Sequence, residues 1–249
     1  MHSVVVSSII FVSVFAAAIL GMVVRVPESH IGSEAKEVVR LSTGLVATMA
    51  ALVLGMLVSS AKASYDARKN EVAEMSYDVV AINRLLAKYG PETAGIRAEF
   101  RQLVEAGLDR IWPNQASRQA ELRPSDYGES LIDQIELLAP TNDRQAVAKA
   151  KALSMVIALR QTQWLLFLKA EQNAVPLPLL LVLAAWLAAI FLSFGLFAAP
   201  NSTTVATLAL SAIAVSSAIF IILEMYTPFS GVLRIPPTPI LEAVKQMGR

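Results

Sequence analysis

The sequence predicts an all-α membrane protein. Four transmembrane helices are expected, with a helical cytosolic domain between spans two and three and long helices continuous from membrane into cytosol. Three observations carry this reading. Four runs are apolar and free of charge over about 20 residues, the length a helix needs to cross the hydrocarbon of a bilayer. No stretch alternates apolar and polar residues as a half-buried strand does. Residues 56–89 and 141–175 contain neither glycine nor proline, so nothing in them obliges a helix to stop.

Composition agrees. Charged residues make up only 16% of the 249, against about 25% in ordinary soluble domains. The deficit lies in the four uncharged runs, while the middle of the chain has a soluble protein's composition. Four segments follow: residues 1–61 hold the first transmembrane pair, 62–174 the cytosolic insert, 175–224 a second transmembrane hairpin, and 225–249 a cytosolic tail. The net charge of +1 argues against nucleic acid as a partner, since such domains carry a clustered basic surface. The absence of cysteine excludes disulfides and thiolate chemistry.

The first span is Val4–Val24, too long and too poor in cationic residues at its start for a cleaved signal. Its small residues, among them Ala16, Ala17 and Gly21, suit close helix–helix approach. Residues 25–40, with Pro27 and His30, read as a turn or a short surface helix. The second span, Leu41–Ala61, runs without interruption into a charged exit at Lys62, Asp66, Arg68 and Lys69. Charges of this kind are too costly at a membrane centre to lie within it. One rod from Leu41 to Tyr89 is therefore expected, half in lipid and half in water.

On the outer half of that rod, Val72, Met75, Val79, Ile82, Leu86 and Tyr89 recur at spacings of three and four and form one apolar stripe. Gly90-Pro91 ends the rod, and Pro91-Glu92 opens a helix to about Trp112, with Ile96, Phe100, Leu103, Leu108 and Ile111 facing a core. Residues 113–125 read as a loop. A short helix spans about Tyr127 to Leu138, and Asn142 caps a second long rod. On that rod Leu153, Ile157, Trp164 and Leu168 share a face, interrupted by Arg160 and Gln161. The third span, Val175–Phe197, and the fourth, Thr203–Leu223, are joined by five uncharged residues. The end of the tail, from Pro239, reads as a short amphipathic helix.

Four spans place the N-terminus, the insert and the C-terminus on one side. That side carries Lys62, Arg68, Lys69, Arg160, Lys169 and Arg234 near membrane ends, against Arg25, Lys36 and Arg40 on the other. The excess makes it the cytoplasmic side.

Signatures of catalysis are missing. The two histidines, His2 and His30, stand outside any metal-ligand spacing, and no phosphate loop or nucleophile elbow occurs. The chain reads as a non-enzyme, without catalytic residues, metal or cofactor. The acidic cluster Asp126, Glu129, Asp133 and Glu136 reads as the solvated face of an amphipathic helix, with a calcium site as the sharper alternative. Glu224 is an acid at the end of an otherwise uncharged span. Such a group at membrane depth is a functional candidate; at the interface it reads as a solvated helix end or a salt bridge.

The second span is more informative. At 100° per residue, Gly44, Thr48, Ala51, Gly55 and Ser59 fall in one sector with Lys62 and Asp66. Met49, Val53 and Met56 lie on the opposite flank. Three readings stand. The small residues are a packing seam against a neighbouring helix; or they line an aqueous path with Lys62 and Asp66 at its cytosolic mouth; or Met49, Val53 and Met56 form an apolar constriction that gates by dewetting.

Five segments resemble the bestrophin-like domain family of bacterial membrane proteins: GLVATMAALVLG at 44–55, SAKASYD at 60–66, YGPE at 89–92, IWP at 111–113 and PFSG at 228–231. The resemblance implies the layout of bestrophins, which are homo-oligomeric, pentameric ion channels with the second span lining the neck. It implies membrane lipid, further copies of the chain and a permeant inorganic ion as partners, and the bacterial inner membrane as location. The chain departs from bestrophins proper in having no acidic run after PFSG and no phenylalanine in the second span. A non-conducting membrane scaffold or signalling protein, its cytosolic helices binding a partner, is the alternative.

Overall fold

A computed structural model describes residues 2–24, 33–113, 127–172 and 177–248. Helix makes up 88% of the described residues, and none of them is in a strand. The α-helices are α1 (His2–Val24), α2 (Ser33–Tyr89), α3 (Ala94–Ile111), α4 (Tyr127–Glu136), α5 (Asp143–Gln172), α6 (Leu177–Phe197), α7 (Ser202–Tyr226) and α8 (Thr238–Met247). Four of them, α1, α2, α6 and α7, are long and apolar enough to cross a membrane. The chain divides into two compact units, Met1–Ser64 with Ala174–Thr227, and Tyr65–Asn173 with Pro228–Arg249.

The uninterrupted rod is present and longer than expected. Helix α2 has 57 residues, about 86 Å at 1.5 Å per residue. It begins at Ser33, so residues 33–40 belong to the rod rather than to a turn or separate surface helix; residues 25–32 lie outside the described part. So does most of the expected loop at 113–125, whose residues from 114 on are not described.

In the first unit, α1 packs against both α6 and α7. Its inward face is Ser3, Ile10, Val14, Ala18 and Gly21, a spacing of three, four and seven that keeps one stripe inward. The closest approach is at Gly21 and Gly195, where a methyl group on either would overlap backbone of the facing helix: the Leu192 carbonyl oxygen for Gly21, that of Ala18 for Gly195. Only glycine fits there. Outside this seam, large apolar side chains such as Ile9, Val12, Leu181 and Leu210 are exposed, as expected of membrane-spanning helices, which are apolar all round.

In the second unit every member of the α2 stripe, Val72 through Tyr89, is buried. Ile96 and Phe100 of α3 and Leu131 and Ile135 of α4 complete that core with α5. Gly90 ends α2 at φ 150, a conformation that favours glycine, and Pro91 opens a 3₁₀ turn that leads into α3. Thr93 locks the corner by donating its hydroxyl to the Leu86 carbonyl at 2.6 Å. Asn142 caps α5 as expected, its Oδ1 accepting from the Gln145 amide at 2.9 Å.

Two expectations are corrected here. The packed face of α5 is Ala148, Ala152, Val156, Leu159 and Leu166, roughly opposite the face read from the sequence. Of the face read from the sequence, Leu153 is half-buried against the core, while Ile157, Trp164 and Leu168 are 40%, 42% and 44% exposed. The alanines let α5 lie close to its neighbours, and the bulkier residues are left outside. The segment 225–249 is also more than a tail. Phe229, Ile235, Ile240, Ala243 and Met247 join the core, and the Trp112 indole donates to the Ile235 carbonyl at 2.8 Å. The Trp112 and Phe229 rings meet edge to face at 5.7 Å, a favourable aromatic geometry. The amphipathic helix expected from Pro239 is α8.

Candidate functional site

The membrane half of α2 has three faces, and only one is used by the chain itself. Ala50, Leu57 and Ala61 are buried, while the predicted small-residue stripe, about 140° away, is exposed at Gly44, Thr48, Ala51, Gly55 and Ser59. A methyl group at Gly44 or Gly55 would meet nothing within 4 Å. The Thr48 hydroxyl is turned back on its own helix, donating to the Gly44 carbonyl at 2.7 Å. The stripe is therefore narrow in side-chain bulk and only weakly polar. Lys62 continues it as an exposed cation and Asp66 as a half-buried acid.

The third face is apolar. Met49 and Met56 are 46% and 57% exposed, and Leu45 and Leu52 beside them are 67% and 70% exposed. Val53 is half-buried, between this face and the packed one. Sequence periodicity could not find the packed face, because all three are apolar enough for lipid and the discriminating residues, two alanines and a leucine, carry no polar contrast.

Where α2 leaves its apolar run, Arg68 is buried to 4% exposure. Its guanidinium donates to the Lys169 carbonyl at 2.8 Å and to that of Leu166 at 3.5 Å. Both carbonyls lie in the last two turns of α5, where the helix dipole is negative, and that of Lys169 is among the four that lack an intrahelical donor. Lys169 in turn pairs with Glu71 at 2.6 Å. Burial pushes the Arg68 pKa down and the neighbouring Glu71 opposes that. Sequence reasoning took Arg68 for a charge marking the membrane exit and missed that it ties α2 to α5.

Glu224 is not a solvated helix end. It is 2% exposed, and its Oε1 accepts from the Ser3 hydroxyl at 2.6 Å, joining α7 to the start of α1. In the acidic cluster, Glu129, Asp133 and Glu136 are exposed on α4, opposite buried Leu131 and Ile135. Glu129 lies 3.4 Å from Arg160 of α5. The solvated amphipathic face is what these three form; Asp126 lies outside the described residues.

The remaining segments that carried the family resemblance all have structural work inside the chain. SAKASYD holds buried Ala61, YGPE makes the corner after α2, and IWP and PFSG meet through Trp112 and Phe229. PFSG also turns the chain at Gly231, φ 82, with the Pro228 carbonyl accepting from the Ile235 amide at 2.7 Å. GLVATMAALVLG supplies buried Ala50 but is otherwise the exception. Its glycines are open.

The chain belongs to the bestrophin-like domain family, whose model matches residues 10–240. No curated protein and no solved structure matches it.

Proposed function

We propose that this membrane protein is a homo-oligomeric ion channel of the bacterial inner membrane, with an axial pore lined by the second span. Copies of α2 surround the axis, and Gly44, Thr48, Ala51, Gly55 and Ser59 face the path or pack at its wall. Met49, Val53 and Met56 are the candidate constriction, and rings of Lys62 and Asp66 from successive copies set selectivity at the cytosolic mouth. The second unit and both termini are cytoplasmic, in keeping with the basic residues near those membrane ends. Five copies are favoured by the resemblance. No enzymatic activity or cofactor is part of this reading.

The observation that carries it is the open stripe. A 57-residue helix leaves its glycines uncovered while every comparable glycine contact in the same unit is filled. Small, weakly polar residues at lipid depth are unusual on a surface meant only for lipid, and they suit either water or another helix. Purified protein reconstituted in vesicles is expected to conduct inorganic ions and to be oligomeric in detergent. A monomer has no axis for such a pore and overturns the proposal, as does an oligomer without flux.

The second reading, a non-conducting scaffold, is supported by α5. Ile157, Trp164, Leu165 and Leu168 are all at least 40% exposed, a cluster of the kind that marks interaction surfaces. An oligomer without ion flux favours this reading.

A further inference from the structure

The exposed apolar side chains of α5 gather at the end of the helix from which the chain enters the membrane. From Gln161 to Leu168 the sequence carries no charge, between Arg160 and Lys169. Within that run Trp164, Leu165 and Leu168 are 42%, 53% and 44% exposed. The rings of Trp164 and Phe167 meet edge to face at 5.8 Å, a contact that braces the indole on the surface. Trp112, the other tryptophan of the second unit, is buried. Three bulky apolar side chains on one helix end are costly in water, and such a patch marks contact with something apolar.

We infer that Trp164, Leu165 and Leu168 rest on the surface of the bilayer, at the boundary between headgroups and acyl chains. Chain connectivity carries the assignment. Helix α5 ends at Gln172 and the membrane-crossing α6 begins at Leu177, a step that spans at most about 18 Å. The end of α5 is also fastened to α2, because Arg68 holds the Leu166 and Lys169 carbonyls. Along α2, Arg68 lies only about 10 Å past Ala61, where the uncharged run of the second span ends. The polar layer of a bilayer is about 5–8 Å deep on each side, and interfacial helices bury an apolar face about 5–10 Å into it. Tryptophan suits that depth, with its ring toward acyl chains and its N–H toward headgroups. Past the end of α7 at Tyr226, Val232 adds an apolar side chain that is 76% exposed, again a few residues from a span. The cations that bound the uncharged run are engaged within the chain: Arg160 lies 3.4 Å from Glu129 and Lys169 lies 2.6 Å from Glu71. The patch therefore takes a zwitterionic lipid surface and needs no anionic headgroup. The inference assigns to lipid a face that a protein partner would otherwise cover, and it holds whether or not the protein conducts.

The test uses full-length protein in phosphatidylcholine vesicles. Because the chain has no cysteine, Leu165→Cys and Leu168→Cys each carry a single fluorophore. Tyr77→Cys, at a residue 71% exposed in the same unit, is the water-facing control. Phosphatidylcholine bearing a nitroxide near the ester end of its acyl chain is expected to quench the labels at 165 and 168 severalfold more than the control. Iodide, present on both sides of the vesicles, should quench in the reverse order. Iodide quenching at 165 and 168 that equals the control places this face in water and overturns the assignment. Protection from both quenchers shows that a protein, a second copy or another partner, covers it, and overturns the assignment equally. Lipid quenching should survive high salt, and its loss there would make headgroup charge the cause and overturn the neutral surface. Circular dichroism of each labelled variant confirms that the fold is retained.

Discussion

Two pairs of glycines in the membrane-crossing unit separate what a single chain completes from what it leaves open. At Gly21 and Gly195 the backbones of α1 and α6 touch, and any side chain there would strike a carbonyl. At Gly44 and Gly55 a side chain would strike nothing. Both pairs sit among small residues, and by sequence both are the sort of pattern that lets helices approach. Only the first is used within the chain. A small-residue stripe therefore specifies that something comes close, and the fold of the single chain decides whether that something is already present. On α2 it is not, which is why the stripe is the place to look for other copies or for water.

The comparison is broken most directly at the filled pair. Gly195→Leu is expected to cost more than the ~1–3 kcal/mol typical of an overpacked core, because the obstacle is backbone rather than a side chain that can turn aside. Little monodisperse protein and a strongly lowered melting temperature are the expected readouts. A variant that melts like wild type would show that α1 and α6 do not meet at this seam.

At the open pair the expected result is the reverse. Gly55→Leu should leave the melting temperature of dilute protein within the ~0.5 kcal/mol of an ordinary surface change, while abolishing ion flux or assembly. The pair of variants thus separates a fold defect from an assembly defect. Unchanged flux from Gly55→Leu would remove α2 from the pore, whatever the oligomeric state.

A third substitution sharpens the distinction at the exit of α2. Arg68→Met keeps the apolar stem packed but removes the guanidinium that holds the Lys169 and Leu166 carbonyls. The expected cost is about 1.5–3 kcal/mol, the range for charged hydrogen bonds, and it should be independent of protein concentration because both partners belong to one chain. Hydrogen exchange should quicken selectively in the last turns of α5. Faster exchange spread evenly over the second unit would refute a local staple.

How far these features were legible depended on whether polarity marked them. The rod of α2, its end at Gly90-Pro91 and the Asn142 cap were readable, because each follows from a residue with a backbone rule of its own. The core stripe Val72–Tyr89 was readable because its other face is charged. The packed face of α5 was not: Ala148 and Ala152 carry little hydrophobic signal, and the bulky Ile157, Trp164 and Leu168 drew the reading to the outer face. The open stripe on α2 was visible as a pattern, but its exposure was not, since in an all-apolar span nothing distinguishes a residue facing lipid from one facing a helix. Arg68 and Glu224 were visible only as charges, and their burial depended on elements more than 90 residues away.

The smallest effect is expected where α3 meets α4 in the second unit, again between groups of one chain. Glu99 accepts from the Gln134 amide at 2.5 Å and from the Ser130 hydroxyl at 2.7 Å. Those two bonds, Gln134 first, hold its carboxyl below the usual 4.5. A carboxyl whose folded pKa is depressed contributes stability that is fully present above its unfolded pKa and disappears as the pH falls through the lower folded value. Stability should therefore decline on acidification below about pH 4.5 in part through this group. Gln134→Leu removes the larger of the two bonds, so its stability curve should fall less steeply there while lying below wild type near neutrality. Solvent around Glu99 screens the effect and keeps it smaller than that of Arg68→Met. Denaturant midpoints measured across the acid range decide it: parallel curves for the two proteins would show that Gln134 contributes packing alone, and a crossing or convergence at low pH would place the bond where the distances put it.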